Sequence, residues 1–111
     1  KVLSKQLNII FVLAGGESAT GDPASTSIWA HAHWFWNSDL KFDNVTLFNY
    51  KSGKYSIFGS NHRSHKATIG IIAHETGHAV FNFGDYYDIS GKVTGIGNYD
   101  TMASGSWGHA P

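Results

Sequence analysis

The sequence predicts a mixed α/β fold of the α+β type, in which a small twisted sheet packs on one helix and the C-terminal part is irregular. Short runs of β-branched and aromatic residues occupy the first half of the chain, residues 67–81 have helical periodicity, and glycines are frequent after residue 83. At 111 residues the chain is expected to form one domain or part of a larger one. We expect an upper part at about residues 1–83 and a lower part at about 84–111.

The first predicted elements are a strand, a loop and a short helix. Residues 7–14 form an apolar run that ends at a Gly-Gly pair, which predicts a central strand. Residues 17–26 are rich in Gly, Ser, Thr and Asp, so we expect a surface loop. Residues 27–36 contain three tryptophans behind a Ser/Thr cap and are predicted to form a short aromatic helix.

The middle of the chain predicts a β-hairpin. Residues 45–50 and 55–58 are rich in strand-forming residues, and they flank the glycine-containing turn Lys51-Ser-Gly-Lys54. Its edge strand could align an extended peptide by strand addition. Residues 61–66 are predicted to be a polar connector.

Residues 67–81 are the strongest helix candidate in the chain. One face of this helix is predicted to pack on the sheet and consists of Ile69, Ile72, Ala73, Thr76, Val80 and Phe83. A different side, expected to face a cleft, carries Ile71, His74, Glu75 and His78. After Phe83, closely spaced glycines predict irregular, turn-rich chain.

Composition excludes several classes of function. Eight basic and eight acidic residues cancel, and only one basic residue is arginine, so no nucleic-acid partner is expected. No apolar run approaches the roughly 18–20 residues that cross a membrane, so no membrane partner is expected either. The absence of cysteine leaves His, Asp and Glu as metal ligands. The N-terminal residues lack the pattern of a signal peptide, so an exported protein would carry its signal outside this chain.

The most informative motif is His74-Glu-Thr-Gly-His78. On a helix, residues four positions apart lie on one face about one turn apart, so His74 and His78 can bind the same zinc ion. Glu75 lies beside them and can hold a water molecule against the metal. This is the H-E-x-x-H pattern of zinc hydrolases, in which the glutamate is the general base and not a ligand.

A catalytic zinc site normally uses three protein ligands and leaves one position to water. Asp85 is the nearest downstream candidate for the third ligand, and it follows Gly84, which permits a sharp turn back toward the metal. Asp88 is the fallback ligand. The histidines outside the motif lack supporting spacing and are weaker candidates: His31, His33, His62, His65 and His109.

Three segments together resemble a known family. His74-Glu-Thr-Gly-His78 is followed by Asp85-Tyr-Tyr-Asp88 and then by Tyr99-Asp-Thr-Met-Ala-Ser-Gly-Ser-Trp-Gly108. These motifs resemble the metzincin-type zinc peptidases and, more narrowly, the immune inhibitor A family of bacterial secreted metallopeptidases. The opening Asn8-Ile-Ile-Phe-Val-Leu-Ala-Gly-Gly and Ile28-Trp-Ala-His also look like the start of such a catalytic domain.

The resemblance implies a metzincin-like zincin core and, from the length of the chain, a truncated catalytic domain. It implies that His74, His78 and Asp85 are the zinc ligands and that Glu75 is the catalytic base. Met102 would lie in a Met-turn and form an apolar floor beneath the metal, a place that suits its polarizable side chain. It further implies a secreted enzyme, and we expect a monomer that acts on protein or peptide substrates.

Two features depart from the family pattern. Six residues, 79–84, separate His78 from Asp85, one more than usual, and Phe81 stands where the family has glycine. Either Asn82 supplies a left-handed turn, or the helix runs longer and Gly84 makes the turn. The second departure is length, since only nine residues follow Met102.

Two functions of different classes fit these residues. The first is a zinc endopeptidase in which Glu75 transfers the proton and a phenol assists the oxyanion. Tyr99 is the first candidate for that phenol, with Tyr86 and Tyr87 as alternatives. The second is a zinc-binding or adhesion module without turnover, which the short lower part and the altered turn favour.

Two further ligand classes have weaker support. Calcium is a candidate ion because several aspartates are expected in loops, although none forms an EF-hand pattern: Asp22, Asp43, Asp88 and Asp100. The tryptophans at 29, 34 and 36 are close in sequence and could form a carbohydrate-binding surface. An aromatic cluster of this kind more often belongs to a core.

Overall fold

The computed structural model describes residues 8–35, 39–48, 53–93 and 95–107. Within these ranges the strands are β1 (Ile9–Glu17), β2 (Ser27–Ile28), β3 (His31–Trp34), β4 (Leu40–Phe42), β5 (Val45–Phe48), β6 (Lys54–His62) and β7 (His65–Lys66). The α-helix is α1 (Ile69–Phe81), and short 3-10 helices span Ser18–Thr20, Gly97–Tyr99 and Ser104–Trp107. The predicted mixed α/β class is therefore confirmed. None of the helices in these ranges has the length and apolar composition needed to cross a membrane.

The main sheet contains five strands. Its strand order is β2-β1-β6-β3, and β7 pairs with β6 beside this path. β1 runs parallel to β6, from Ile9 opposite Tyr55 to Gly16 opposite Asn61, and β3 runs antiparallel to β6. β1 thus lies between two neighbours, so the central strand predicted at residues 7–14 is confirmed where the structure describes it, and it extends to Glu17.

The aromatic helix predicted at residues 27–36 is wrong. Residues 27–28 and 31–34 are strands, and His31 to Trp34 pair with Ile57 to Lys54 of β6. Small and large residues alternate from Ala30 to His33, which is the period of a strand, and the long β6 supplies the hydrogen-bonding partner. Trp36 lies outside the described residues.

The hairpin predicted between residues 45–50 and 55–58 is also wrong. β5 pairs with β4 in a separate two-stranded sheet, and residues 55–58 belong to β6 of the main sheet. Asp43 and Asn44 connect β4 to β5 with φ of 46° and 59°, the left-handed conformation that both central residues of a tight hairpin turn adopt. The turn signal therefore lies at Asp43-Asn44. The expected turn at residues 51–54 lies partly outside the described residues.

The polar connector predicted at residues 61–66 forms part of the sheet. β6 continues to His62 and turns back into β7 at Arg63, whose φ is 52°. Asp22 fixes this turn, because its Oδ2 accepts hydrogen bonds from the Arg63 N–H and the Glu17 N–H, each at 3.0 Å. These bonds, that of Arg63 first, lower the pKa of Asp22. One carboxylate thus joins the 18–22 loop to the end of β6.

α1 confirms the helix predicted at residues 67–81, but the face predicted to pack on the sheet is mostly wrong: Ile72 packs against the core, whereas most of the other predicted residues are exposed. Ile71, from the side that carries His74 and Glu75, forms the core with Ala30 and Phe58. Ile69, from the predicted packing face, is 76% exposed. The motif side can be buried because both of its histidines bond to backbone carbonyls, whereas the periodicity of apolar residues alone favours the opposite face.

The chain after Phe83 is irregular, as predicted, and it packs on α1 through a glycine. A Cβ atom at Gly70 would overlap the carbonyl of Ser106, so only glycine allows the 3-10 helix Ser104–Trp107 to lie this close. The division into an upper and a lower part stays a prediction.

Replacing Gly70 with alanine should destabilise the protein. The added methyl group must displace the backbone at Ser106, and overpacking of this kind costs about 1–3 kcal/mol. Gly84→Ala is the matched control, because a Cβ at Gly84 has no neighbour within 4 Å. Chemical denaturation of the two variants beside the parent chain measures the difference. Equal stability of both variants would contradict the close packing of α1 against Ser106.

Candidate metal centre

α1 brings the two histidines of the motif together on its buried side. The Nε2 atoms of His74 and His78 are 3.1 Å apart, and the two rings are nearly perpendicular. Oδ1 of Asp85 lies 3.2 Å from His74 Nε2 and 3.1 Å from His78 Nε2. Among the residues that the structure describes, these three have ligand atoms close enough together to bind a single metal ion.

Asp85 reaches the histidines because the chain reverses at Asn82. α1 ends at Phe81, and Asn82 adopts a left-handed conformation with φ of 57° and ψ of 32°. The side chain of Lys54 holds this turn by donating to Asn82 Oδ1 at 2.6 Å and to the His78 carbonyl at 3.2 Å. Of the two turns left open by the sequence, the structure has the one at Asn82, and the additional residue is accommodated there.

Backbone carbonyls orient both imidazole rings. His74 Nδ1 donates to the carbonyl of Thr101 at 2.9 Å, and His78 Nδ1 donates to the carbonyl of Phe83 at 2.7 Å. A carbonyl only accepts, so each Nδ1 carries a proton and leaves Nε2 as the nitrogen with which the imidazole can bind a metal. Partners of this kind orient histidine ligands in metal sites.

The three atoms fit a zinc ion. Tetrahedral zinc with bonds of about 2.0–2.1 Å places its ligand atoms about 3.3 Å apart, close to the observed 3.1–3.2 Å. Asp85 Oδ1 is buried and has no hydrogen-bond partner among the described residues, although an unpaired buried acceptor is costly. A cation bound between the two imidazole nitrogens and this carboxylate oxygen would satisfy all three atoms.

Glu75 lies next to this group but outside it. Its side chain is buried and lines the same cavity as His74. Burial, followed by the negative charge of Asp85 and then that of Glu17, raises the pKa of Glu75 to about 7. A carboxyl group with a pKa near neutrality can both accept and release a proton.

Met102 packs beneath the motif. Its sulfur atom lies 2.5 Å from the place where a Cβ of Gly77 would be, so glycine at this position of the motif makes room for the methionine. The neighbouring Thr101 carbonyl holds His74, and the Met102 carbonyl accepts a hydrogen bond from Tyr86 N–H at 2.9 Å. The segment around Met102 therefore contacts both α1 and the loop that carries Asp85.

Tyr99 and Tyr87 occupy different environments. Tyr99 is 96% exposed and is not one of the residues that line the cavity beside Glu75. Tyr87 lines that cavity, and its ring lies 6.4 Å from the His74 ring and nearly parallel to it. Burial, followed by the charge of Asp85, raises the pKa of Tyr87. The structure therefore places Tyr87, and not Tyr99, at the site.

Asp88 binds its own loop instead of joining the ligand group. Its carboxylate accepts hydrogen bonds from the backbone N–H groups of Ser90, Lys92 and Val93 and from the Ser90 hydroxyl. These bonds, that of the Ser90 hydroxyl first, lower the pKa of Asp88 to about 2.

The other histidines considered from the sequence also lie outside the ligand group. His31, His33 and His65 each contact a nearby backbone carbonyl. His62 is buried next to Trp107, and His109 lies outside the described residues.

A cavity of about 370 Å³ opens beside His74 and Glu75. Two indoles, Trp29 and Trp107, form walls, and the remaining lining residues are mostly small: Ala19, Ala30, Ile71, Tyr87, Ala103, Ser104 and Ser106. The sequence did not identify this cavity, because its walls come from separate segments. Trp107 could have been identified from the sequence, because it lies five residues after Met102 in the segment that resembles the family motif.

Comparison with known proteins gives one family match. A model of the family described as immune inhibitor A peptidase M6, catalytic domain, matches residues 3–110. Neither a curated protein nor a solved structure matches the chain.

Replacing Asp85 should weaken zinc binding, whereas replacing Asp88 should not. Loss of an outer-shell partner alone costs about 10–100-fold in metal affinity, so Asp85→Asn should lose more than about 100-fold. Asp88→Asn is the matched control, because Asp88 makes its hydrogen bonds within its own loop. Competition with a chromophoric chelator measures both affinities. A loss of zinc affinity in Asp88→Asn alone would identify Asp88, and not Asp85, as the third ligand.

Proposed function

Because the chain belongs to the immune inhibitor A peptidase M6 family, and its function is therefore of the metallopeptidase type, we propose that it is a zinc-dependent endopeptidase. Its substrates would be extracellular proteins or peptides, cleaved by a secreted monomer with a metzincin-like core. The observation that carries this proposal is the convergence of His74 Nε2, His78 Nε2 and Asp85 Oδ1 beside the buried carboxyl group of Glu75.

His74, His78 and Asp85 would hold the zinc ion. When bound, zinc acts as a Lewis acid for the scissile carbonyl and lowers the pKa of a water molecule. The protein supplies rigidity, because the Thr101 and Phe83 carbonyls fix both imidazole rings before any metal or substrate arrives.

Glu75 would perform the proton transfers. Its carboxylate accepts a proton from the attacking water and passes it to the leaving amine, which regenerates the carboxylate. A pKa near neutrality suits both steps, and burial next to Asp85 supplies it. Tyr87 lies on the same cavity, where its phenol can donate a hydrogen bond to the developing oxyanion.

The substrate would run along β2. β2 lies at an edge of the main sheet and leads directly into Trp29 and Ala30 of the cavity wall. An extended peptide that pairs with this edge would place one of its side chains in the cavity. The hairpin expected to serve this purpose from the sequence is not formed by residues 45–58.

The altered turn after α1 was one of the two sequence features in favour of the alternative, a zinc-binding module without turnover. The turn at Asn82 nevertheless brings Asp85 within 3.2 Å of both histidines, so the feature that suggested inactivity does not disrupt the ligand group. Cleavage by the parent chain that is lost in the Glu75 variant would distinguish an enzyme from an inactive module.

Glu75→Gln should abolish peptide cleavage while zinc stays bound. The amide keeps the shape of the side chain but cannot accept the proton, and the three ligands are unchanged. Cleavage of an unfolded protein by the zinc-loaded chain, together with zinc content by mass spectrometry, measures the two effects. Loss of zinc from the variant would make Glu75 a ligand, and full activity would exclude it as the base.

Ser104→Phe should reduce binding of peptides with a large apolar side chain. Ser104 is exposed on the cavity lining, so a phenylalanine would fill the space between the indoles, and KM should rise about tenfold. Ser64→Phe is the control, because Ser64 is also exposed but lies in the turn between β6 and β7. Steady-state kinetics on a peptide series provides the test. An equal rise of KM in both variants would show that the cavity does not bind the substrate.

A further inference from the structure

Glu17 and His62 are two buried polar residues that the proposed mechanism does not use. The parallel register pairs Gly16 of β1 with Asn61 of β6, so Glu17 and His62 occupy the next positions on these neighbouring strands. Their exposed fractions are 0% and 3%. Residues at matching positions of parallel strands point to the same side of the sheet, so the two side chains lie next to each other behind the cavity.

One oxygen of Glu17 holds the cavity lining. Oε1 accepts hydrogen bonds from the N–H groups of Ala30 at 2.9 Å and Ala19 at 3.2 Å, and both residues line the cavity beside Glu75. Ala30 directly follows Trp29, one of the two indole walls. The other oxygen, Oε2, is buried and has no hydrogen-bond partner among the described residues.

His62 has an unpaired nitrogen atom that complements the unpaired oxygen of Glu17. Its Nδ1 accepts a hydrogen bond from the N–H of Thr68, the residue that precedes α1, so Nδ1 carries no proton. Burial is the first cause of a lowered pKa at His62. The negative charges of Glu17 and Asp22 raise this pKa, and the nearby His65 lowers it, so the net shift favours a neutral ring at pH 7. The proton of the neutral ring is then on Nε2, which is buried and has no hydrogen-bond partner among the residues that the structure describes.

A buried donor and a buried acceptor that are both unpaired are each costly. We propose that Glu17 and His62 form a positioning pair for the substrate cavity, in which one buried water accepts a hydrogen bond from His62 Nε2–H and donates one to Glu17 Oε2. The pair links the two indole walls, because Glu17 holds the backbone next to Trp29 and the His62 ring lies 6.1 Å from the Trp107 ring.

The inference rests on the proposed function for its effect on catalysis, but the pair itself does not. Loss of the pair would allow the walls to separate, which weakens substrate binding and leaves the proton transfers of Glu75 in place. The expected consequence is therefore a change in KM that is larger than the change in kcat.

The first measurement uses the metal-free parent chain and needs no activity. Nitrogen-15 NMR of the histidine rings at pH 7 should show a neutral His62 with its proton on Nε2, and this proton should exchange slowly with water. A proton on Nδ1, a charged ring or rapid exchange would overturn the pair.

The second measurement uses Glu17→Gln. Glutamine keeps the oxygen that binds Ala30, but its amide group places a donor opposite the Nε2–H donor. Fluorine NMR of protein labelled with fluorotryptophan should show shifted Trp29 and Trp107 signals, and KM for peptides should rise about tenfold, because hydrogen bonds to charged groups are stronger than those between neutral groups. His65→Gln, next to His62 on β7, is the matched control and should change neither quantity.

The outcomes distinguish the pair from the peptidase. Unchanged Trp29 and Trp107 signals in Glu17→Gln overturn the positioning role, whatever the activity. Shifted signals in a chain that cleaves no peptide support the pair and reject the proposed function. If Glu17→Gln does not fold, the protonation of His62 in the parent chain still decides whether the pair exists.

Discussion

The close packing of α1 on the segment from Asp100 to Trp107 is the constraint on which the rest of the site depends. Two glycines of α1 permit it: Gly70 lies against the Ser106 carbonyl and Gly77 against the Met102 sulfur. Because the segment lies this close, the Thr101 carbonyl reaches His74 Nδ1 at 2.9 Å. The orientation of the first ligand is thus set by backbone contacts and not by the metal.

The sequence predicted the candidate site better than the sheet around it. His74, Glu75 and His78 follow from helical spacing alone, because the period of a helix is a local property. Asp85 was placed by motif order, and the Asn82 turn that delivers it was one of two alternatives. The walls of the cavity could not be derived, since Trp29 and Trp107 meet only through tertiary packing.

The errors in the sheet have a common physical cause. Strand pairing depends on contacts between distant segments, and β1 pairs in parallel with β6 across more than forty residues. A local rule joins the nearest two strands, which produced the hairpin that is not formed. The packing face of α1 was misjudged for a related reason: the buried side carries His74, whose hydrogen-bond partner is the distant Thr101 carbonyl.

The central claim is that His74, His78 and Asp85 hold zinc beside Glu75. A crystal structure of the zinc-loaded chain, with anomalous scattering recorded at the zinc absorption edge, tests it most directly. The account predicts one strong peak at about 2.0–2.2 Å from His74 Nε2, His78 Nε2 and Asp85 Oδ1, with Glu75 outside bonding distance. A peak elsewhere in the molecule, or one bonded to Glu75 in place of Asp85, would contradict it.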